Sequence, residues 1–468
     1  MIARLCRFAC FLSLAFGALT TRAAEEPPVE WIDPATGHRV VRLSREAGSS
    51  SFYFHQNAYS PDGRKVVITS PTGVYTIDLQ SRAIEQLVEG RVTTILVGRK
   101  TGDLYYTRRE NEELWVYATN TRTKATRKIA KVPRGNVSSV NADETLLLGT
   151  YSEGAEFAGW QRGGATPAPT AAAATATAAA NPINAPTASA APTAAAATTQ
   201  PIGQAQYQAT WPDGTPMTFA DAKELRLHEQ LHRVRAGPPR TLFTLDTKTG
   251  ETKIVLQQRE WLNHLQFSPT DPQQIMFCHE GAWHEVDRIW LVRTDGTGLT
   301  KVHERTMNME IYGHEFYSAD GKTIWYDLHR PRGENLWVAG YEIATGKRTW
   351  WRVPNKDWNV HYQISSDGRL FCGDGSDPEM VSYAPDAKWI YLLRPQRVPD
   401  VAGIKNPSAD TLIDPGVFQP ERLVSLAKHD YRLEPNATFT PDDKWIVFRS
   451  NMHGATHVYA VEVAKAKL

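Results

Sequence analysis

Short segments in which apolar and polar residues alternate recur along the chain, and polar turns separate most of them. Five of these segments share one form: "NAYSPDGRKVVITS", "QFSPTDPQQIMFCH", "FYSADGKTIWYDLH", "QISSDGRLFCGDG" and "TFTPDDKWIVFRSN". Each begins with a strand pattern, passes through a turn of the Ser-Pro-Asp-Gly type and continues into a second strand. Asp-Gly and Thr-Gly between alternating apolar runs indicate β-hairpins.

The hairpins group into units that recur at about 40 to 50 residues, which is the length of one β-propeller blade. Seven units start near residues 53, 92, 134, 262, 311, 359 and 430. An extra strand, "EWIDPATGHRVVRL", precedes the first unit, and we expect it to complete the last unit and so remove a free sheet edge. The sequence therefore predicts an all-β fold, a seven-bladed β-propeller formed by residues 24–468.

The third unit carries a long insertion. Residues 163–217 contain an Ala/Thr/Pro-rich stretch with too little bulky apolar mass to fold alone, so we expect a disordered surface loop there. Residues 218–236 then predict a helix, with Thr218 as its N-cap and Gly237-Pro238 as its end. Its expected apolar positions are Leu225, Leu227, Leu231 and Val234.

The first 23 residues have the pattern of a cleavable signal peptide: a short basic start, an apolar run and a small-residue cleavage site. This predicts export to the periplasm or the medium, and no membrane span after the signal is removed. Of the four cysteines, Cys278 and Cys372 remain in the mature chain. They could form one disulfide bond, although two buried free thiols are the commoner outcome.

Candidate chemistry appears when the units are aligned on the Ser or Thr of the first turn. Four positions before it lie Gln56, Val137, His264, His314, His361 and Asn436. In a propeller this first strand lines the central channel, and its start lies near one mouth. Equivalent positions of neighbouring units therefore converge. The second strands end at the same mouth and carry further polar residues: His279-Glu280, His329, Asp374 and Arg449-Ser450-Asn451, with Glu434 nearby.

Charge and motifs narrow the range of functions. The net charge is +1, which gives no general argument for nucleic acid or a charged membrane surface. The sequence contains no G-x-S-x-G elbow, no P-loop and no dinucleotide fingerprint, which disfavours serine hydrolase and nucleotide chemistry. Imidazoles with oxygen ligands suit a divalent transition-type metal. A metal, a neutral base and an arginine suit proton abstraction next to a carboxylate.

Three blocks of sequence resemble a known family. "WLNHLQFSPTD…MFCHEGAWHEVDRIWLVRTDGTG", "GHEFYSADGKTIWYD" and "FTPDDKWIVFRSN" are similar to the oligogalacturonate lyases, polysaccharide lyase family 22. The resemblance covers most of residues 30–468 outside the insertion. It implies a seven-bladed propeller that cleaves short oligogalacturonates by β-elimination, with a divalent metal, typically Mn, at the channel mouth. It also implies a histidine base and a substrate-binding arginine.

The resemblance carries over to individual residues only in part. His314 matches the first metal histidine of the family. The other family ligands lie in a Gln-x-x-His-Pro-His segment, which here reads "YRLEPN", so that Tyr431, Glu434 and Asn436 replace the glutamine and the two histidines. This exported chain therefore looks like a divergent member with a harder donor set.

These considerations give one set of expected roles. The metal ligands are predicted to be His314, Glu434 and Asn436, with His361 nearby. His264 is the favoured catalytic base, and His279 is the other candidate in that region of the family. Arg240 matches the family arginine and is predicted to position an oligosaccharide substrate. Glu280, Arg449 and Tyr431 are predicted to contact this substrate.

A second interpretation of the chain remains open. Propellers built from Ser-Pro-Asp-Gly repeats also occur as non-catalytic binding or scaffold proteins. The histidines in register discriminate between the two interpretations, because a scaffold does not need them.

Overall fold

The computed structural model describes residues 26–152, 210–378, 380, 382–399 and 406–466. The predicted signal peptide, residues 1–23, lies outside these residues, as does the 163–209 part of the predicted insertion. The regular secondary structure of the described part is almost entirely β-strand, and these strands form six hydrogen-bonded sheets. Among the described residues no helix has the length and apolar character needed to cross a membrane.

The strands follow one another in antiparallel meanders. The chain begins with β1 (Glu30–Ile32) and β2 (His38–Arg42). A three-stranded sheet comprises β3 (Lys65–Ser70), β4 (Gly73–Asp78) and β5 (Ile84–Glu89). The next sheet comprises β6 (Thr93–Val97), β7 (Asp103–Glu110), β8 (Glu113–Asn120) and β9 (Thr126–Val132). The third comprises β10 (Asn136–Val140), β11 (Leu146–Ser152), β12 (Arg240–Asp246) and β13 (Thr252–Gln258).

The second part of the chain continues the pattern. One sheet comprises β14 (Trp261–Phe267), β15 (Gln274–Glu280), β16 (Ile289–Arg293) and β17 (Thr300–Lys301). An eight-stranded sheet begins with β18 (Ile311–Tyr317), β19 (Thr323–His329), β20 (Leu336–Glu342) and β21 (Arg348–Val353). It continues with β22 (Val360–Ile364), β23 (Phe371–Asp374), β24 (Trp389–Arg397) and β25 (Asp414–Ser425). The chain ends with β26 (Thr438–Phe439), β27 (Trp445–Ser450) and β28 (His457–Lys465).

The two ends of the chain meet in one sheet, with the strand order β1-β2-β28-β27-β26. Val40 pairs with Val461 and Val41 with Ala460, so the N-terminal segment completes the last sheet as the sequence predicts. The predicted single strand is, however, two strands. The Asp33 carboxylate accepts hydrogen bonds from the backbone N–H groups of the two residues of the turn that separates them.

Apolar residues from neighbouring sheets form the core. Tyr105 of β7 packs in one cluster with Val137 of β10 and Phe243 of β12. The clusters that follow join β11 and β12 to β14 and β15, and then β15 and β16 to β18 and β19. Each sheet is thus covered on its faces by its neighbours, as in a propeller-like arrangement.

One helix, α1 (Phe219–Ala236), precedes β12, and its bounds agree with the predicted 218–236. The Thr218 hydroxyl accepts a hydrogen bond from the Asp221 N–H, which is the expected N-cap. Leu231 and Val234 are buried as expected, whereas Leu225 is 39% exposed. The helix therefore packs through one narrow stripe. Cys278 and Cys372 are both buried free thiols, so they do not form the disulfide that the sequence left open.

Candidate active site

The three histidines that the sequence places in register occupy the same unusual backbone setting. Strands β14, β18 and β22 each contain a bulge, and His264, His314 and His361 lie in these bulges. Their φ angles are 47°, 49° and 52°. Asn436, just before β26, has a φ of 54°. Non-glycine residues rarely adopt positive φ, and bulges of this kind re-aim a side chain out of the strand alternation. The left-handed backbone conformation therefore recurs at four equivalent positions, and three of them lie in bulges.

His314 and His361 form a close pair, with ring centroids 4.8 Å apart. The Nδ1 atom of His314 lies 2.7 Å from an Asp327 carboxylate oxygen, and the Nδ1 atom of His361 lies 3.0 Å from one of Asp374. A carboxylate on Nδ1 fixes the ring and leaves Nε2 as the outward nitrogen, which is the arrangement commonly seen behind metal-binding histidines.

Burial and neighbouring charges shift the pKa values of His314 and His361 in opposite directions. Burial lowers the pKa of His314 well below its usual value, and the nearby charges of His361 and Arg288 lower it further. Burial also opposes charge on His361, but Asp374 and Glu434 outweigh it and raise the pKa of this imidazole. Burial raises the pKa of Asp327 to about 6. His314 is therefore held in the neutral form that can bind a metal.

Glu434 and Asn436 differ in how well they fit the predicted role of metal ligand. A Glu434 carboxylate oxygen lies 3.8 Å from His361 Nε2, a buried atom with no hydrogen-bond partner. By contrast, the Asn436 amide is engaged at both ends, because Oδ1 accepts from the Phe54 N–H at 3.2 Å and Nδ2 donates to the Glu434 carbonyl at 3.0 Å. Glu434 is therefore the better third donor, and Asn436 holds the backbone in place.

His264 belongs to a second group, which contains a buried ion cluster. Its Nε2 lies 3.4 Å from a Glu280 oxygen, and its Nδ1 lies 4.0 Å from a Glu315 oxygen. Arg288 bridges the two carboxylates, at 2.8 Å from Glu280 and 3.1 Å from Glu315. Burial opposes ionisation of Glu280, but the Arg288 charge holds the pKa of this carboxyl well below its usual value. The imidazole thus lies between two carboxylates fixed by one guanidinium.

This second group is poorly suited to a metal, although ligand atoms of His264, Cys278 and Glu280 lie within 4.8 Å of one another. Burial raises the pKa of the Cys278 thiol well above its usual value, so the thiol stays protonated and is a poor ligand. Both Glu280 oxygens already bind Arg288 and Asn263. His264 is therefore free for proton chemistry rather than for coordination.

His279 and Arg240 both neighbour Gln258 of β13, at the contact between the third and fourth sheets. His279 Nε2 lies 2.8 Å from the Gln258 side-chain oxygen, and its ring packs 5.1 Å from Trp290. Burial lowers its pKa to about 4. Because side chains alternate along β15, His279 and Glu280 point to opposite faces. Arg240 pairs with Gln258 across the sheet, and its Nε atom is buried without a hydrogen-bond partner.

Tyr431 and Arg449 support the site from behind. The buried Tyr431 hydroxyl donates to Asp374 and lies 3.2 Å from His361 Nδ1, and its ring stacks with that imidazole at 6.4 Å. Arg449 donates to the Glu434 carbonyl at 2.7 Å and to the Ser50 hydroxyl at 2.9 Å. Both side chains contact residues of the His361 group, and their role in substrate binding stays a prediction.

The first unit links the two groups through its aromatic residues. The Tyr53 ring lies 5.9 Å from the rings of both His264 and His361. The Phe54 ring lies 5.4 Å from His361 and 6.3 Å from His314. All three histidines therefore surround one aromatic segment.

Three residues of the site were not assigned from sequence: Arg288, Glu315 and Asp327. A signal was present for the last of these, because Asp327 and Asp374 each follow their histidine by 13 residues. Glu315 is adjacent to His314 and faces the His264 group only because the bulge turns it there. Arg288 carried no signal, since its partners come from β15 and β18.

Comparison with known proteins places the chain in a class. A family model described as "Oligogalacturonate lyase" matches residues 219–467, which include every site residue discussed above except those of the first unit. The chain is thus a carbon–oxygen lyase of the polysaccharide-cleaving class, built on a propeller-like fold. It belongs to the oligogalacturonate lyase family.

Full-length relatives agree with this assignment. The oligogalacturonide lyase of Pectobacterium atrosepticum is 24% identical over 447 residues, which are 92% of this chain and 95% of that protein. The oligogalacturonate lyase of Dickeya dadantii matches with the same identity and coverage.

Two solved structures share the fold. An oligogalacturonate lyase in complex with manganese matches with a TM-score of 0.63 at 22% identity, over 93% of this chain and 96% of the other. The oligogalacturonate lyase of Vibrio parahaemolyticus matches with the same TM-score and coverage at 21% identity.

Proposed function

We propose that this protein cleaves short oligogalacturonates by metal-assisted β-elimination, with His264 as the base. The observation that carries this proposal is the convergence of three left-handed bulge histidines, which separate into a metal-type pair and a carboxylate-flanked base. In the reaction, the base removes the proton from C5, next to the uronate carboxylate. The C4–O bond breaks, the C4=C5 double bond forms, and the departing oxygen takes up a proton.

His264 is suited to this proton transfer. Its side chain is 13% exposed, so substrate can reach it, and the remainder is held between the Glu280 and Glu315 carboxylates. These carboxylates orient the ring before the reaction and stabilise the imidazolium that proton abstraction forms. Because Arg288 fixes both of them, the base needs little reorganisation during the reaction.

The His314 and His361 imidazoles and the Glu434 carboxylate are proposed to hold the metal. The buried and unpartnered Nε2 atom of His361 and the carboxylates on both Nδ1 atoms fit a cation there. Manganese is proposed because a solved relative is a manganese complex and because nitrogen and oxygen donors suit it. When bound, the cation would neutralise the uronate carboxylate and so acidify the C5 proton.

Arg240 is proposed to bind a further carboxylate of the substrate. Its Nε atom is buried without a partner, so the side chain retains donor capacity that an anionic oligosaccharide could use. Burial lowers the pKa of its guanidinium, but an arginine still carries its charge at neutral pH.

We further propose that the fold has seven blades. The eight-stranded sheet consists of two four-stranded meanders, and among the described strands the pairing that joins them is the parallel pairing of β21 with β25. Counting these meanders separately gives seven units, which agrees with the sequence spacing. A crystal structure in which the two meanders form separate blades around the central channel would support seven blades. One continuous sheet would contradict this count.

Export is also a proposal, and it rests on the signal-type sequence of the first 23 residues. N-terminal sequencing of the protein recovered from the periplasm or the medium tests it. A mature chain that starts at Ala24 is the expected result, and an intact Met1 on all of the protein would contradict export.

Oligogalacturonate cleavage itself is tested by ultraviolet absorption of the new C4=C5 double bond. Purified protein is incubated with oligogalacturonates after chelation and again after Mn²⁺ is restored. We expect activity that chelation abolishes and Mn²⁺ restores. Absence of product under all of these conditions would contradict the lyase function and favour the non-catalytic scaffold alternative, which family membership disfavours.

Metal content tests the ligand assignment independently of activity. We expect the bound Mn²⁺ measured by elemental analysis to fall at least about tenfold in His314→Ala and in Glu434→Gln. In Asn436→Ala, bound Mn²⁺ is expected to persist while thermal stability falls, because the Asn436 amide is engaged with Phe54 and Glu434. Loss of metal in Asn436→Ala without loss of stability would restore Asn436 as a ligand.

A further inference from the structure

Helix α1 presents imidazoles to a loop at the edge of the active site. This loop, residues 281–288, connects β15 to β16 and contains Trp283. His228 and His232 are four residues apart, so they lie on one face of α1. They face Glu285 of the loop. The sequence between them, "HEQLH", has the His-Glu-x-x-His spacing that places two metal ligands on one helical face.

The distances within this group are short. His228 Nδ1 lies 2.9 Å and 3.0 Å from the two Glu285 carboxylate oxygens. His232 Nε2 lies 3.5 Å from the nearer of these oxygens, and the two imidazole centroids are 4.3 Å apart. One ligand atom from each of the three residues lies within 4.8 Å of the others. For comparison, donors around a tetrahedral zinc ion lie about 3.4 Å apart, given metal–ligand bonds of about 2.1 Å.

We propose that His228, His232 and Glu285 form a second metal site, which binds a zinc-type divalent cation. Two histidines and one glutamate are a donor set that zinc uses when a fourth position is left for water. The side chains of His228 and His232 are 47% and 55% exposed, so an ion can enter and keep that water.

Ion pairing alone explains this arrangement less well. A single exposed histidine–glutamate contact contributes little to stability, and a second imidazole on the same carboxylate adds little more. Two protonated imidazoles at this distance would also repel each other. A divalent cation, by contrast, requires several neutral imidazole and carboxylate donors to converge on one point.

The proposed site fastens α1 to the loop that contacts the active site. Trp283, two residues before Glu285, packs its ring 5.1 Å from that of His314 and lies over Arg288 at 5.0 Å. Leu231 of α1 packs where a Cβ on Gly281 would stand, 2.8 Å from it. A cation at His228, His232 and Glu285 would therefore hold both ends of this contact and fix the position of Trp283. This role goes beyond the proposed lyase function and does not depend on it.

Zinc titration of protein without a polyhistidine tag tests the site. The His314→Ala background removes the other candidate metal site from the measurement. We expect calorimetry and elemental analysis to show one bound Zn²⁺ per chain in this background. Adding His232→Ala or Glu285→Gln is expected to weaken that binding by about a hundredfold or more, while His284→Ala on the same loop serves as the matched control. Circular dichroism confirms that each variant is folded.

Limited proteolysis measures whether the cation holds α1 against the 281–288 loop. Trypsin sites within α1, such as Lys223 and Arg233, are expected to be cut at least about fivefold more slowly when Zn²⁺ is present, and His232→Ala is expected to abolish this protection. The proposal is overturned if the His314→Ala protein binds no zinc. It is also overturned if His232→Ala and Glu285→Gln both bind zinc as tightly as the background protein.

Discussion

The innermost strands β6 and β10 bulge at Thr94–Leu96 and Val137–Ser139, whereas β14, β18 and β22 bulge at His264, His314 and His361. The bulge is the same in kind, since one extra residue stands on the inner strand each time. Only in the second group is the bulged residue left-handed. The sequence shows the same division, because it contains no histidine between His55 and His228.

This difference separates what the fold requires from what the chemistry requires. A bulge in the inner strand recurs on both sides and therefore belongs to the architecture. A left-handed histidine with a carboxylate behind it occurs only on one side, and it combines backbone strain with the burial of an ionisable ring. Such costs are retained at functional sites when the surrounding structure holds them in place. The site histidines thus occupy a bulge that strands β6 and β10 also contain, but without a histidine.

The largest expected effect comes from removing the base. His264→Ala is expected to lower kcat on oligogalacturonates by about 10²–10⁴-fold, the usual contribution of a general base. The measurement is initial rate by ultraviolet absorption at saturating Mn²⁺. Thr94→Ala changes the corresponding bulge of β6 and is expected to leave kcat within about twofold. Equal losses in both variants would mean that the two groups of strands do not divide as described.

The buried ion cluster is the next test, because it lies only on the histidine side. Arg288→Ala leaves Glu280 and Glu315 buried without their partner and is expected to lower the free energy of unfolding by about 3–5 kcal/mol. Chemical denaturation measures this. The matched control, Lys131→Ala, breaks an exposed pair with Glu113 on the other side and should cost about 0–1 kcal/mol. A small effect of Arg288→Ala would show that the cluster is solvated.

The free energy of unfolding should also depend on pH, because His329 is buried on the side of the molecule that carries the site histidines. Burial lowers the pKa of His329 to about 4, below the value near 6.5 in the unfolded chain. The unfolded state therefore binds the proton first, and stability falls as the pH drops from about 6.5 towards 4. His329→Gln is expected to remove about 2–3 kcal/mol of the loss between pH 7 and pH 4.5. Denaturant titrations of both proteins at several pH values measure this, and an equal loss of stability in His329→Gln and in the unchanged protein would contradict the expectation.

The smallest expected effect is the difference in stability between a glycine and an alanine variant, and it has opposite signs in the two groups of strands. At His264 the backbone is left-handed, so His264→Gly should be more stable than His264→Ala by about 1 kcal/mol. At Val137 the backbone is an ordinary bulge, so Val137→Ala should be more stable than Val137→Gly by about 0.5–1 kcal/mol. Thermal unfolding of the four variants gives the comparison. The same sign at both positions would remove the distinction between the two kinds of bulge.

Sequence reasoning reached the register of the histidines but not their geometry. Aligning the turns placed His264, His314, His361 and Asn436 at equivalent points because the repeat length is set by strand pairing. The alignment could not show that Asn436 has a different role from the three histidines. Its amide is held by the backbone of Phe54 and of Glu434, which lie 382 and 2 residues away in the sequence. Alternation along β15 also places His279 and Glu280 on opposite faces, so only one of the two can face His264, and the sequence did not show which one does.

The shared sheet of β2 and β28 has a consequence for how the chain is made. Because Val40 pairs with Val461, this sheet cannot form until β28 has been synthesised and has left the ribosome. A nascent chain without β28 would keep an open edge on β2 and an incomplete apolar cluster around Val41 and Val458. The fold is therefore expected to stay open until β28 is made, and a product that stops before β28 should be a substrate for proteases rather than a partly active enzyme.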